Sequence, residues 1–204
     1  MERLASGLAE NLEAFRALFH APENCDFVVR ELAPHGVRMA ALYIDGMANR
    51  RNLEDMVLRP LMNMRPFGGM APEGRSAALA AQVLPTGTGK LESGVRKIAD
   101  FVLDGNCAVL CDGCAQAVLA EMPGFASRAV DQPPIESAAF APHEAFNETI
   151  RTNLTLLHRI LRTPDFVTEI LEIGSSSKTK VAVTYLSGVA NPAVVREVKR
   201  RLEG

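Results

Sequence analysis

The sequence predicts an α/β (α+β mixed) fold in two small subdomains, each a mixed β-sheet with packed helices, joined by a proline-rich connector. Three observations predict it. Strand-like and helix-like apolar periods alternate along the chain. Asp45-Gly46 and Asp112-Gly113 each stand between apolar runs, a strong signal for a turn, and the second of them joins two strand-like runs. Pro133, Pro134 and Pro142 bar their predecessors from helical geometry, so the stretch before residue 146 is extended and stiff. It leads into an amphipathic helix with Phe146, Ile150, Leu154, Leu157 and Leu161 on one face, stopped by Pro164. The expected division is an N-terminal helix over 1–22, a first subdomain over 23–135 with a flexible loop at 65–90, and a second subdomain over 136–204.

Each element has its own signal. Residues 3–19 place Leu4, Leu8, Leu12, Phe15, Leu18 and Phe19 on one helical side, and Pro22 ends the run. Phe27–Leu32 and Val37–Ile44 read as strands. Asn52 caps a helix reaching about Leu58, with Glu54 and Asp55 in the first turn and Pro60 ending or kinking it. Glycines and prolines punctuate 65–90, which reads as a loop with a short helical patch at Ala77–Gln82 and a strand at Val83-Leu84. Leu91–Leu103 is helical, with Gly105 where a C-terminal cap belongs. Cys107–Cys111 and Gln116–Glu121 form a hairpin. Val167–Ile173 and Val181–Leu186 are strands, and Asn191-Pro192 opens the last helix.

Composition narrows the function. The chain has 204 residues, an apolar fraction of 48% and a net charge of −2, so it lacks the basic footprint of a nucleic-acid binder. The Arg196–Arg201 run lies on a helix and reads as a solvated face. The first residues form an amphipathic helix rather than a secretion signal, and no apolar run reaches the ~18 residues of a membrane span. By its own residues the chain is expected to be soluble.

Several motifs resemble functional sites and fail on chemistry. Gly87-Thr88-Gly89-Lys90-Leu91 lacks both the upstream glycine and the Ser or Thr of a phosphate loop. Cys111 and Cys114 have CxxC spacing, but no second pair or nearby histidine completes a zinc site, so no metal is expected. Cys107 and Cys111 share one strand face and read as small apolar residues. A Cys111–Cys114 disulfide is open to the spacing and disfavoured by an intracellular compartment. His143-Glu144 starts a zincin-like string that Asn147 breaks. No nucleophile stands beside a base, so no catalytic residue and no cofactor are expected.

Charged and polar residues gather around the connector: Arg128, Asp131, Glu136, Glu148, Arg151, Asn153 and Arg159. Solvated helix charge explains most such residues. The sharper expectation is that Arg128 and Arg151 pair with Glu136 and Glu148 and lock the two subdomains, making these seven an inter-subdomain, ligand or partner interface. Such pairs fix orientation more than they add stability.

The same stretch carries a resemblance. Arg128-Ala129-Val130, Pro133, Glu136, Pro142, Glu144, Phe146, Glu148 and Ile150-Arg151-Thr152-Asn153 together resemble the soluble N-terminal region of the GerA-family spore germination proteins, the germinant receptor A subunits and their stage V relatives. YIDGM at 43–47 with RPLM at 59–62, VLDGNCAVLCDG at 102–113, and the run 177–202 resemble further blocks of that family. The sequence departs at Asp131-Gln132, where the family has an acidic pair, and at Phe140-Ala141-Pro142, where it has Arg-Gly-Pro.

The resemblance implies a non-enzymatic, cytosol-facing domain at the spore inner membrane, acting in germinant signal transduction and receptor assembly. Implied partners are B- and C-type receptor subunits. The alternative is a two-lobed module binding a small germinant, an amino acid or a sugar, beside the connector. The family places transmembrane helices after this region, which implies that this chain is a fragment or a truncated relative. An incomplete second subdomain would expose apolar surface and favour a homodimer through the C-terminal half.

Overall fold

Apolar alternation in the central strands sorts their side chains onto two helical layers. In the computed structural model, which describes residues 2–83, 89–122 and 145–203, five strands form one sheet in the order β1-β2-β4-β5-β3. These are β1 (Phe27–Leu32), β2 (Met39–Ile44), β3 (Lys90–Glu92), β4 (Cys107–Cys111) and β5 (Ala117–Ala120), and every pairing is antiparallel. Ala40, Leu42, Ile44, Ala108, Leu110, Ala117 and Leu119 point to one side, where they meet Leu8, Leu12 and Phe15 of α1 (Leu8–Leu18) and Ile98 and Val102 of α5 (Val95–Leu103). Met39, Ala41, Cys107, Val109, Cys111, Val118 and Ala120 point to the other, under Leu53, Val57, Leu61 and Leu79. A sheet buried on both faces explains why β4 and β5 read as continuous apolar runs. The first helix thus packs directly on one face of this sheet.

The helices of the second layer differ from expectation at a proline. Asn49, not Asn52, caps α2 (Arg50–Leu53): its side chain accepts from the amides of Arg51 and Asn52 at 3.1 and 3.2 Å. The helix then runs on through a π-helical turn, Glu54–Leu58, into α3 (Arg59–Asn63). Pro60 has no N–H and its ring crowds the carbonyl four residues back. The widened turn, with the Arg59 amide reaching back to the Glu54 carbonyl, relieves that crowding and lets the helix continue. The helical patch in the 65–90 loop is α4 (Arg75–Ala78) followed by a second π-helical turn, Leu79–Val83.

Leu91 is the other correction. It lies in β3, paired with Val118, and the helix begins only at Val95. The Glu92 carboxylate accepts from the Ser93 and Gly94 amides, both at 2.8 Å, which turns the chain before the helix can start.

The remaining elements of the described residues are α6 (Ile150–Ile160), β6 (Phe166–Ile173), β7 (Thr179–Leu186) and α7 (Pro192–Glu203). β6 and β7 make a two-stranded antiparallel sheet. Asn191 caps α7 as its sequence predicts, accepting from the Ala193 amide at 2.9 Å. No residue of α7 is buried, and Val189, Val194 and Val198 are exposed. The proline connector lies outside the described residues.

Candidate functional site

Helix α6 meets the five-stranded sheet at the start of β1 and the turn after β2. Helical spacing builds the contact. Arg151, Thr155 and His158 stand at i, i+4 and i+7, so all three project from one stripe of α6. Beside them, Leu154 is buried. Opposite the stripe lies Asp26, fully buried one residue ahead of the strand.

Asp26 is held from both sides. Arg151 Nη1 donates to one carboxylate oxygen at 2.7 Å, and His158 Nε2 lies 3.0 Å from the other. A carboxylate only accepts, so Nε2 carries the proton. The buried Nδ1 of His158 has no hydrogen-bond partner among the described residues. Phe166 meets the imidazole edge-on, with ring centroids 4.8 Å apart, and fixes its plane.

Arg151 also reaches Asp45 through Nη2 at 3.0 Å, so one guanidinium bridges the head of β1 and the tail of β2. Next to Asp45, Thr155 Oγ1 donates to the Gly46 carbonyl at 3.2 Å. Gly46 has φ +89°, and a Cβ there would lie 2.8 Å from Arg151 Cδ and 2.9 Å from Thr155 Oγ1. The helix can approach the turn this closely because residue 46 has no side chain.

The joint extends to β6 through backbone. The Cys25 amide donates to the Thr168 carbonyl at 2.9 Å. Asn24 Nδ2 donates to the Phe166 carbonyl, while Asn24 Oδ1 accepts from the Thr168 and Asp26 amides. At the rim, His20 lies 3.1 Å from Asp165 and Arg162 lies 3.3 Å from Asp104. These exposed contacts set direction and contribute little energy.

Burial on its own would push the Asp26 carboxyl up. His158 and Arg151 outweigh it and hold the group below the usual aspartate range. A carboxyl depressed in the folded state adds stability above its unfolded pKa of about 3.9 and loses it as pH falls through the lower folded value. We therefore expect wild-type stability to decline below about pH 4 partly through this group. In Asp26→Asn that part of the acid dependence should vanish, as urea titrations at stepped pH would read; parallel curves for the two proteins would contradict the assignment.

The seven residues expected from sequence separate here. Arg128, Asp131 and Glu136 lie outside the described residues. Arg151 forms ion pairs, but with Asp26 and Asp45 rather than Glu148, which is exposed. Asn153 acts locally: its side chain accepts from the Asn147 amide at 2.9 Å and donates to the Asn147 carbonyl at 2.7 Å, setting the chain that enters α6. Arg159 sits on the exposed flank, where its carbonyl accepts from Arg162 Nε. Phe146 precedes the helix and is 65% exposed, so it is not the first residue of the buried stripe. Asp26 and Asn24 fall outside the expected set, Asp45 reads from sequence only as a turn residue, and His158 only as a surface or satisfied histidine. The available signals were a charged residue directly before an apolar strand and the polar i, i+4, i+7 stripe on α6.

The chain matches the family model described as Bacillus/Clostridium GerA spore germination protein over residues 13–204. The chain belongs to the GerA family. It is 24% identical over 203 residues to spore germination protein KA of Bacillus subtilis (strain 168), covering 98% of this chain and 36% of that protein. To spore germination protein B1 of the same organism it is 25% identical, covering 98% of this chain and 41% of the relative. The chain thus spans about two fifths of the length of these GerA relatives. Its fold is that of the crystal structure of the N-terminal domain of the A subunit of the Bacillus megaterium spore germinant receptor GerK3, with a TM-score of 0.78 at 23% identity, over 99% of this chain and 73% of that one. No helix among the described residues is long and apolar enough to cross a membrane.

Proposed function

We propose that this chain is a non-enzymatic signalling domain of an A-type germinant receptor subunit, acting in signal transduction and receptor assembly during spore germination. The observation that carries the reading is the buried joint: Asp26 shared by Arg151 and His158, with Arg151 continuing to Asp45. A joint made of few, directional, charged contacts has discrete made and broken states. A partner subunit that binds the two states unequally would then shift their balance and pass on its own occupancy. In this reading the domain faces the cytosol at the spore inner membrane and contacts B- and C-type subunits, and it performs no bond chemistry.

The test keeps shape and removes charge. Spores whose resident copy carries Asp26→Asn should need about fivefold more germinant for half-maximal response, in line with the coupling energies typical of such linkage. Receptor abundance, followed by immunoblot, should stay level. An unchanged dose response at unchanged abundance would refute a signalling role for the joint.

A further inference from the structure

The β4–β5 turn carries chemistry that the joint does not use. Cys111 ends β4, Asp112 and Gly113 turn the chain, and the Cys114 amide donates to the Cys111 carbonyl at 3.1 Å. Both thiols are buried, in one cluster with Cys107, and all are unbridged. No group of three His, Cys, Asp or Glu side chains placed to hold a metal occurs among the described residues.

The two thiols sit in unequal surroundings: Cys111 Sγ donates to the Asp112 carbonyl at 3.7 Å. The proximity of the pair pushes the Cys111 thiol up and draws the Cys114 thiol down to about 6 against its burial. The Ser76 backbone and the Arg75 guanidinium act in the same direction on Cys114. Arg75 also donates to the Asp112 carbonyl at 3.3 Å, so it is anchored over the turn. As a thiol, Cys114 lies 2.8 Å from the Pro72 carbonyl and donates to it. As a thiolate it gives up that bond and keeps the positive charge of Arg75 nearby.

We propose that Cys111 and Cys114 are a redox-active dithiol, the site at which a small organic disulfide makes a Cys111–Cys114 bond across the turn. The Cys114 thiolate attacks one sulfur of the disulfide and expels the first thiolate. Cys111 passes its proton to that leaving group and attacks Cys114 Sγ, expelling the second. The protein dithiol loses two electrons, and the small disulfide is reduced to two thiol equivalents.

The turn is connected to two neighbours that would register the change. Asp112 accepts from the Leu8 amide at 2.9 Å, and the Gly113 amide donates to the Ser6 carbonyl at 2.9 Å. A Cβ on Gly113 would lie 2.4 Å from Pro72 Cβ, so the turn and the segment ahead of α4 are in direct contact. Oxidation removes the Cys114 hydrogen bond to Pro72 and loosens that segment.

The experiment equilibrates the full chain with bis(2-hydroxyethyl) disulfide and its thiol, both as native protein and during refolding from urea, so that access is no barrier. Non-reducing peptide mapping should find the 107–120 region two hydrogens lighter, with Cys111 and Cys114 protected from alkylation and Cys107 alkylated after unfolding. Cys114→Ser and Cys111→Ser should each abolish the product, and protease cleavage within 65–75 should quicken several-fold on oxidation of the wild type only. Both thiols still alkylatable after refolding in an excess of the disulfide, or a product that pairs Cys107, would overturn the assignment. Unchanged cleavage of the oxidised wild type would overturn the coupling to Pro72.

Discussion

Replacing Arg151 with alanine is expected to lower the unfolding free energy by about 3 kcal/mol, the low end for stripping one partner from a buried ion pair. The low end applies because Arg151 is itself 37% exposed, while Asp26 is fully buried and would keep only His158. The cost comes from the stranded carboxylate rather than from lost attraction at the surface. A graded series checks this. Asp45→Asn touches only the half-exposed arm of the bridge and should cost under about 1 kcal/mol. Arg151→Lys presents one ammonium where two parallel contacts ran to different carboxylates, so it should fall between. Adding Asp26→Asn to Arg151→Ala removes the stranded charge and should recover part of the loss. Urea unfolding reads all four; a cost below 1 kcal/mol for Arg151→Ala would make the bridge a solvated contact.

Gly46→Ala should cost about 2–4 kcal/mol, summed from left-handed backbone strain and displacement of α6. Gly36→Ala isolates the first part. Gly36 has φ +79° with nothing within 4 Å of its would-be Cβ, whereas Gly46 has Arg151 and Thr155 against it. The excess of one substitution over the other measures how tightly the helix sits on the turn. Hydrogen exchange should rise along 150–160 in Gly46→Ala and stay level there in Gly36→Ala. Equal losses for the two glycines would mean that the helix yields without cost.

What was legible in the sequence is what local chemistry dictates. Asp45-Gly46 and Gly105 occupy the turns their types favour, and Asn191-Pro192 starts a helix as capping requires. The two-residue period of a strand puts Cys107 and Cys111, four residues apart, on one face, and the sheet has them there. What was not legible depends on distance along the chain. Arg151 finds Asp26 across 125 residues, and His158 finds it across 132. Sequence proximity pointed instead to Glu148, which solvent competes for. Pro60 reads locally as a stop, and only the π-helical turn ahead of it explains why the helix persists. Leu91 has a helical pattern but pairs with Val118, because the sheet edge offers a ladder that a window of neighbours cannot register.

The bond from the Leu8 amide to Asp112 spans 104 residues and has a consequence for the order of assembly. Gly7, the residue that precedes the first helix, offers no side chain to cap it, so an acceptor from the β4–β5 hairpin takes that role. During synthesis the first helix therefore emerges with a free end and stays frayed until residue 112 has left the ribosome. Its completion is a late, topology-limited event, and a nascent chain halted before residue 112 would carry that helix unfinished.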